Sequence, residues 1–271
     1  KRTIDRKTYY NYPHIYQMLD SIQPNAVVFS DGGPGCRWVG NEKGFAGETN
    51  WSFLPKGRVY PGYPNYPELQ YGYPDGDQWT PAECDVSIRP GWFYHPEEDG
   101  KVKSPEQLAD LYYRSVGHNA TLLLNFPVNR DGLIHPTDSA NAVNFHKLIT
   151  RELSNNLVAG MKPKVSNERG KQFSAHALTD ASWDTYWATS DGVTSADITF
   201  TFKRPQTMNR IMLQEYIPLG QRVKKFAVEY LLPNGKWTAV EQGEETTTIG
   251  YKRLLRFRTV SSKGIRVRIL D

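Results

Sequence analysis

Apolar runs alternating with helix-period segments occupy the first 155 residues and leave few folds open to them. Residues 26–31 (AVVFSD), 84–89 (CDVSIR) and 121–127 (TLLLNFP) read as strands, the first of them buried on both faces. Residues 7–22 space Tyr9, Tyr12, Ile15, Tyr16, Leu19 and Ile22 at intervals of three and four, which predicts an amphipathic helix stopped before Pro24. Ser104-Pro105-Glu106-Gln107 combines a capping serine, a first-turn proline and a glutamine three positions after the cap. Leu108, Leu111, Tyr112 and Val116 continue it as a helix that stops at Gly117. A third helix covers residues 138–155 on Val143, Phe145, Leu148, Ile149 and Leu153. Strand and helix in alternation predict a parallel sheet with helices outside it. A closed (β/α)8 barrel takes about eight such units in roughly 250 residues. Three strands and three helices therefore predict the C-terminal part of a TIM-type barrel, with the chain beginning inside that domain.

Beyond Gly160 the pattern changes. ADITFTF, RIMLQEYI, KKFAVEYLL, KWTAVE, RLLRFRTV and GIRVRIL are short, alternating or aromatic-rich runs separated by turns such as LPNGK and VSSKG. Six short strands with no helix-period segment between them predict an all-β, antiparallel sandwich. The expected organisation is a barrel portion over residues 1–156, a linker rich in Gly, Lys, Pro, Ser and Asn over 157–171, and the sandwich over 172–271.

Composition narrows the classes. No window holds the ~18 consecutive apolar residues of a membrane span, so a soluble protein is expected. The net charge of +4, from 33 basic and 29 acidic residues, is concentrated in the last third; a weak patch of this kind suits a solvated face rather than nucleic acid. Cys36 follows the exit of one strand and Cys84 begins the next, a separation of roughly 20 Å against the ~7 Å between Cα atoms that a disulfide needs. Two free thiols are expected. His95, His118, His135 and His146 have no metal-ligand spacing, and SDGGPG lacks the strand-turn-helix setting of a phosphate loop.

The stretch with chemistry in it is CRWVGNEKGFAGETNW, residues 36–51, at the end of a strand. Catalytic groups of barrels sit on such strand-end loops, where all strands point to one mouth. Glu42 lies there, with Trp38, Trp51, Trp79 and Trp92 on the same loop or just past the next strand, interleaved with Arg37, Asn41 and Glu48. Flat aromatic faces among polar groups suit a sugar. Two carboxylates beside a glycosidic oxygen divide the work of cleaving it, and in retaining enzymes they stand roughly 5–5.5 Å apart. On composition alone a loop glutamate such as Glu42 is most often a solvated carboxylate, Glu48 before Thr-Asn reads as a backbone-capping acceptor, and tryptophans near a sheet edge are commonly packing residues.

VVFSDGGPGCRWVGNEKGFAGETNWS, with CDVSIRPGWFYHPEEDGKVKSPEQLADLYYRSVGHNATLLLNFPVNRDGLIH, resembles the second half of the catalytic domain of the family 29 glycoside hydrolases, the retaining α-L-fucosidases. The branch resembled acts on α-1,3 and α-1,4 linkages, and the likeness covers nearly all of residues 1–155. It implies that Glu42 is the acid/base, that Trp92 in RPGWFYH stands against the fucose ring, and that Trp38 and Arg37 are further substrate-binding candidates. It also implies an aspartate nucleophile in a Trp-Phe-Asp-Gly type of motif, which would lie upstream of residue 1. Residues 1–271 taken alone would then be inactive. HALTDASWDTYWAT followed by ADITFTFKRPQTMNRIMLQEY is similar to the discoidin-like, galactose-binding-like jelly roll.

What these likenesses imply is an exo-acting, retaining α-L-fucosidase that needs no cofactor, acts on terminal fucose of Lewis-type glycans and resides in the periplasm or outside the cell. A structural calcium in the sandwich, near Asp180, is allowed by the second likeness, although the glycine usual after that aspartate is here Ala181 and no later acidic partner is evident. The alternative is a non-catalytic carbohydrate-binding protein that uses the sandwich or a residual cleft.

Overall fold

The computed structural model describes residues 3–271 and divides the chain into two compact units, residues 1–149 and 150–271. In the first unit, α1 (Arg6–Tyr9) and α2 (Tyr12–Ile22) precede β1 (Phe29–Ser30) and β2 (Cys36–Trp38). A long connection then carries the antiparallel ribbon of β3 (Phe53–Leu54) and β4 (Gln78–Trp79). After it come β5 (Ala82–Ser87), α3 (Pro105–Arg114), β6 (Ala120–Asn125) and α4 (Pro136–Leu153). The sheet has the order β1-β2-β5-β6, and all its pairings are parallel.

Alternation along β5 separates two environments. Ala82, Cys84 and Val86 are buried, and Val86 packs with Ile88, Leu108 and Leu111 beneath α3. Glu83, Asp85 and Ser87 take the other face, as the period of two in a strand requires. Cys36 and Cys84 are buried free thiols. Burial, with the nearby charge of Glu83 adding, pushes the Cys36 thiol up to about 11, and burial raises that of Cys84 as well, so both stay protonated at neutral pH.

Several expected elements are altered by their surroundings. The segment 7–22 is two helices, because Pro13 in the first turn of α2 has no N–H to donate into a continuous helix and Asn11 caps the restart in a left-handed conformation, φ 47°. Its apolar stripe is not buried: Tyr9 is 65% and Ile22 67% exposed. The run 26–31 pairs only at Phe29–Ser30 and is not buried on both faces; β1 ends the order of its sheet, and Val27 is 75% exposed. The helix at Ser104 forms with its full capping box: Gln107 N–H donates to Ser104 Oγ at 3.3 Å and Ser104 N–H to Gln107 Oε1 at 2.8 Å. It ends at Arg114, short of Gly117, where the Ser115 hydroxyl donates to Leu111 O at 2.7 Å.

The second unit holds β7 (Lys164–Val165), β8 (Ala196–Leu213), β9 (Phe226–Leu231), β10 (Trp237–Ala239) and β11 (Arg253–Ile269) in one antiparallel sheet of order β10-β9-β11-β8-β7. The six expected strands become four because two pairs run on as single long strands. ADITFTF continues into RIML as β8, and RLLRFRTV into GIRVRIL as β11, with register shifts between Arg256 and Val260 and between Ser262 and Gly264. Pro205 lies between the pairs Thr201↔Gly264 and Gln206↔Ser262, a bulge where its missing N–H breaks no ladder bond. Both arms feed one core: Ile198, Phe200, Val228, Ile265 and Val267 from one, Met208, Leu255 and Phe257 from the other. Within the stretch expected as a linker, Leu157, Val158 and Met161 pack against this core and Lys164–Val165 pairs as β7.

Asp180 spends both carboxylate oxygens locally, accepting from Ser182 N–H at 2.9 Å and from the Thr185 hydroxyl at 2.7 Å. Among the described residues no group of three or more His, Cys, Asp or Glu side chains that could hold a metal ion is found. Ala181 beside it is held at φ 59°, a conformation that costs a residue with a Cβ about 1 kcal/mol and glycine almost nothing. Ala181→Gly is expected to stabilise the second unit by roughly 0.5–1 kcal/mol in denaturant unfolding. A loss of stability would show that the left-handed turn is not held there.

Candidate functional site

The turn that carries Glu42 is set by two glycines. Gly40 has φ 84°, and a Cβ there would meet Tyr66 O at 2.1 Å; Gly44 has φ 79°, and its Cβ would meet Val86 Cγ1 at 2.7 Å. Between them Asn41 closes the turn with its side chain, accepting from Lys43 N–H at 3.0 Å and donating to Phe45 O at 3.0 Å. Glu42 and Lys43 stand exposed at the tip, while Glu48 farther along is half-buried.

The loop is fixed at its base by Arg37. This side chain is fully buried, and its guanidinium donates to Leu69 O at 2.9 Å, to Thr80 O and to Asn50 Oδ1 at 2.7 Å. Asn50 in turn donates to His118 O at 2.8 Å and Asn119 O at 3.1 Å, which ties the loop to the turn before β6. Burial lowers the Arg37 pKa to about 10, so it remains charged at neutral pH. Arg37 is therefore not a substrate-binding residue, as the resemblance had implied. With no exposed surface and three protein acceptors, it holds the loop instead of a ligand.

Trp38 and Trp92 come to the site from two strands. The Trp38 indole N–H donates to Asp85 Oδ1 at 2.7 Å, and its ring lies 5.9 Å from that of Tyr66 at 32°. The Trp92 indole N–H donates to Glu42 Oε2 at 3.0 Å. Trp92 follows β5 and Glu42 follows β2, so this bond joins two adjacent strand-end loops. Trp51 is buried and Trp79 packs edge-on against Phe53, 5.1 Å away at 82°. These two tryptophans are packing residues.

The segment that presents Trp92 is held by charge. Arg89, 1% exposed, makes a two-pronged ion pair with the fully buried Asp138 at 2.8 Å on each prong, and meets Asp99 at 2.9 Å. Asn125, at the end of β6, donates to Trp92 O at 3.0 Å and to Ser87 Oγ at 3.1 Å.

Sequence reasoning passed over Asp85 and Asn125. Burial, opposed by the hydrogen bond from Trp38 and reinforced by the negative charge of Glu42, pushes the Asp85 carboxyl up. A signal was present: Glu83 and Asp85 alternate with buried apolar residues in a strand, which aims two carboxylates at one face. The arrangement offers an exposed carboxylate oriented by an indole, a second carboxylate nearby, and aromatic surface around both.

Residues 163–271 match the family model described as F5/8 type C domain. Alpha-L-fucosidase 1 of Arabidopsis thaliana is 38% identical over 259 residues, which cover 93% of this chain and 50% of the relative. The crystal structure of a glycoside hydrolase 29 family member from an unknown rumen bacterium is similar with a TM-score of 0.81 at 38% identity, covering 100% of this chain and 44% of that one. A Ruminococcus gnavus GH29 fucosidase in complex with fucose has a TM-score of 0.77 at 35% identity, covering 86% and 47%. The chain spans about half the length of the curated relatives it matches.

Replacing Arg37 by Met leaves two backbone carbonyls and an amide oxygen buried without their donor. Arg37→Met is expected to cost about 3 kcal/mol or more in the unfolding of the protein. Unchanged stability would contradict the scaffold role and return Arg37 to ligand binding.

Proposed function

The homologues of this chain are α-L-fucosidases and members of glycoside hydrolase family 29, and from that premise we propose that it contributes the acid/base side of a retaining exo-α-L-fucosidase. The observation that carries the reading is the Trp92–Glu42 hydrogen bond, which orients an exposed carboxylate at the ends of parallel strands. In this reading residues 1–156 are the C-terminal part of a (β/α)8 barrel, residues 157–171 lead into the second domain, and the attacking aspartate comes from the remainder of the longer protein. Phe29 and Leu123, 43% and 50% exposed, are apolar surface that the rest of such a barrel would cover.

Glu42 gives its proton to the glycosidic oxygen as the bond to fucose breaks and the upstream carboxylate attacks the anomeric carbon. In the second step it takes a proton from the water that releases fucose from the enzyme. Trp92, with its N–H on Glu42, keeps its ring beside the fucose, and Trp38 with Tyr66 stands beside the sugar that leaves. A terminal fucose in α-1,3 or α-1,4 linkage on a Lewis-type branched glycan is the proposed substrate, and the periplasm or the cell exterior the proposed location. No cofactor enters this scheme.

Two measurements on the full-length protein check the proposal. Glu42→Ala should slow fucosides with poor leaving groups by roughly 10²- to 10⁴-fold, and activated aryl fucosides far less in the first step. Azide should restore turnover of the activated substrate and give a fucosyl azide of retained configuration. Glu48→Ala is expected to keep most activity; leaving-group dependence and azide rescue in that variant instead would move the assignment along the loop. The full-length protein should also cleave a Lewis trisaccharide faster than an α-1,2-fucosylated lactose. Equal rates would reduce the proposal to a general fucosidase.

A further inference from the structure

The geometry points to Asp85 as the residue that positions the Trp38 indole, and through it sets preference for a fucose whose neighbouring sugar is branched; this rests on the function proposed above. Asp85 stands on the polar face of β5, two residues beyond Glu83, which is the register partner of Trp38 on β2. A strand position of this kind is rigid. From it, Asp85 Oδ1 accepts the only N–H that an indole has, at 2.7 Å.

An indole at the end of a strand has two broad orientations about its outer torsion, and packing alone discriminates weakly between them when one side of the ring faces solvent. Anchoring the N–H to the sheet selects one. Trp38 is half-buried, with Tyr66 tilted against it, and Tyr66 is itself 48% exposed. The pair forms an aromatic step beside the loop that carries Glu42. Glu42 is close enough for its charge to act on Asp85. The C–H face of a sugar attached next to the fucose packs on such a step, whereas an aryl leaving group has no branch to place there.

A carboxylate suits this task better than a neutral acceptor. It accepts more strongly and offers no donor of its own that would pull the indole into another arrangement. The same device recurs at Trp92, whose N–H is anchored to Glu42. There the carboxylate is at the loop tip and exposed; at Trp38 it is on the strand and half-buried, which fits anchoring in place of proton exchange.

The test uses the full-length protein, a Lewis trisaccharide and an aryl α-L-fucoside. Asp85→Leu, which keeps bulk but removes the acceptor, is expected to lower the ratio of kcat/KM for the trisaccharide to that for the aryl fucoside roughly tenfold, mainly through KM. Asp85→Asn, whose amide oxygen still accepts, should recover most of that ratio. If Asp85→Leu does not fold, Trp38→Phe removes the donor while keeping a ring and should produce the same fall. An unchanged ratio overturns the inference. So does an Asn variant as impaired as the Leu variant. A fall in kcat on both substrates with azide rescue would make Asp85 a proton-transfer group and also overturns it. If the wild-type protein cleaves neither substrate, the proposed function fails and this inference with it.

Discussion

The buried guanidinium of Arg37 is the constraint on which the candidate site depends. It lies in β2, where Arg37 and Trp38 pair with Ala82 and Glu83 of β5, and its three hydrogen bonds reach residues 13, 32 and 43 positions away. A charge without exposed surface is stable only when acceptors surround it. Meeting that requirement draws Asn50, Leu69 and Thr80 toward one point and gives the long connection between β2 and β5 a fixed path. Gly40 and Gly44 then turn the chain so that Glu42 projects outward. From there the indole of Trp92 can reach it.

The second half of the site rests on a similar arrangement. Arg89, paired with Asp138 and Asp99, holds the segment after β5, and Asn125 from β6 fixes the backbone of Trp92 itself. Three neighbouring parallel strands thus each contribute one anchored group: β2 leads to Glu42, β5 to Trp92, and β6 to the amide that positions it. Parallel pairing is what makes this convergence available, because it brings the C-terminal ends of all three strands to one edge of the sheet.

Local chemistry was legible in the sequence and long-range placement was not. The capping box at Ser104 and Gln107 lies within four residues and formed as read. The strands CDVSIR and TLLLNFP were recognisable as short apolar runs between helix-period segments, and the all-β character of the later residues from their short alternating or aromatic-rich runs. Arg37 was misread because its burial is created by carbonyls far along the chain. Asp85 went unnoticed because a lone aspartate in a short strand becomes informative only once the partner strand is known to set Trp38 beside it. The two long strands of the second unit read as four short ones because polar stretches such as VSSKG look like turns, yet the ladder continues through them with register shifts between Arg256 and Val260 and between Ser262 and Gly264. The burial expected for residues 26–31 failed for a related reason: exposure at the edge of a sheet depends on neighbours, not on the strand's own composition.

In the proposed function Glu42 works as an acid/base because Trp92 orients it. The most direct measurement is the coupling between the two residues, from kcat/KM of the full-length wild-type, Trp92→Phe, Glu42→Ala and double variants on a fucoside with a poor leaving group. Phe keeps an aromatic face for the sugar and removes only the N–H. If the bond matters, Trp92→Phe should slow the wild-type enzyme about tenfold and have little further effect once Glu42 is gone. Equal slowing in both backgrounds would mean that Trp92 serves the sugar alone and that the orientation of Glu42 comes from elsewhere.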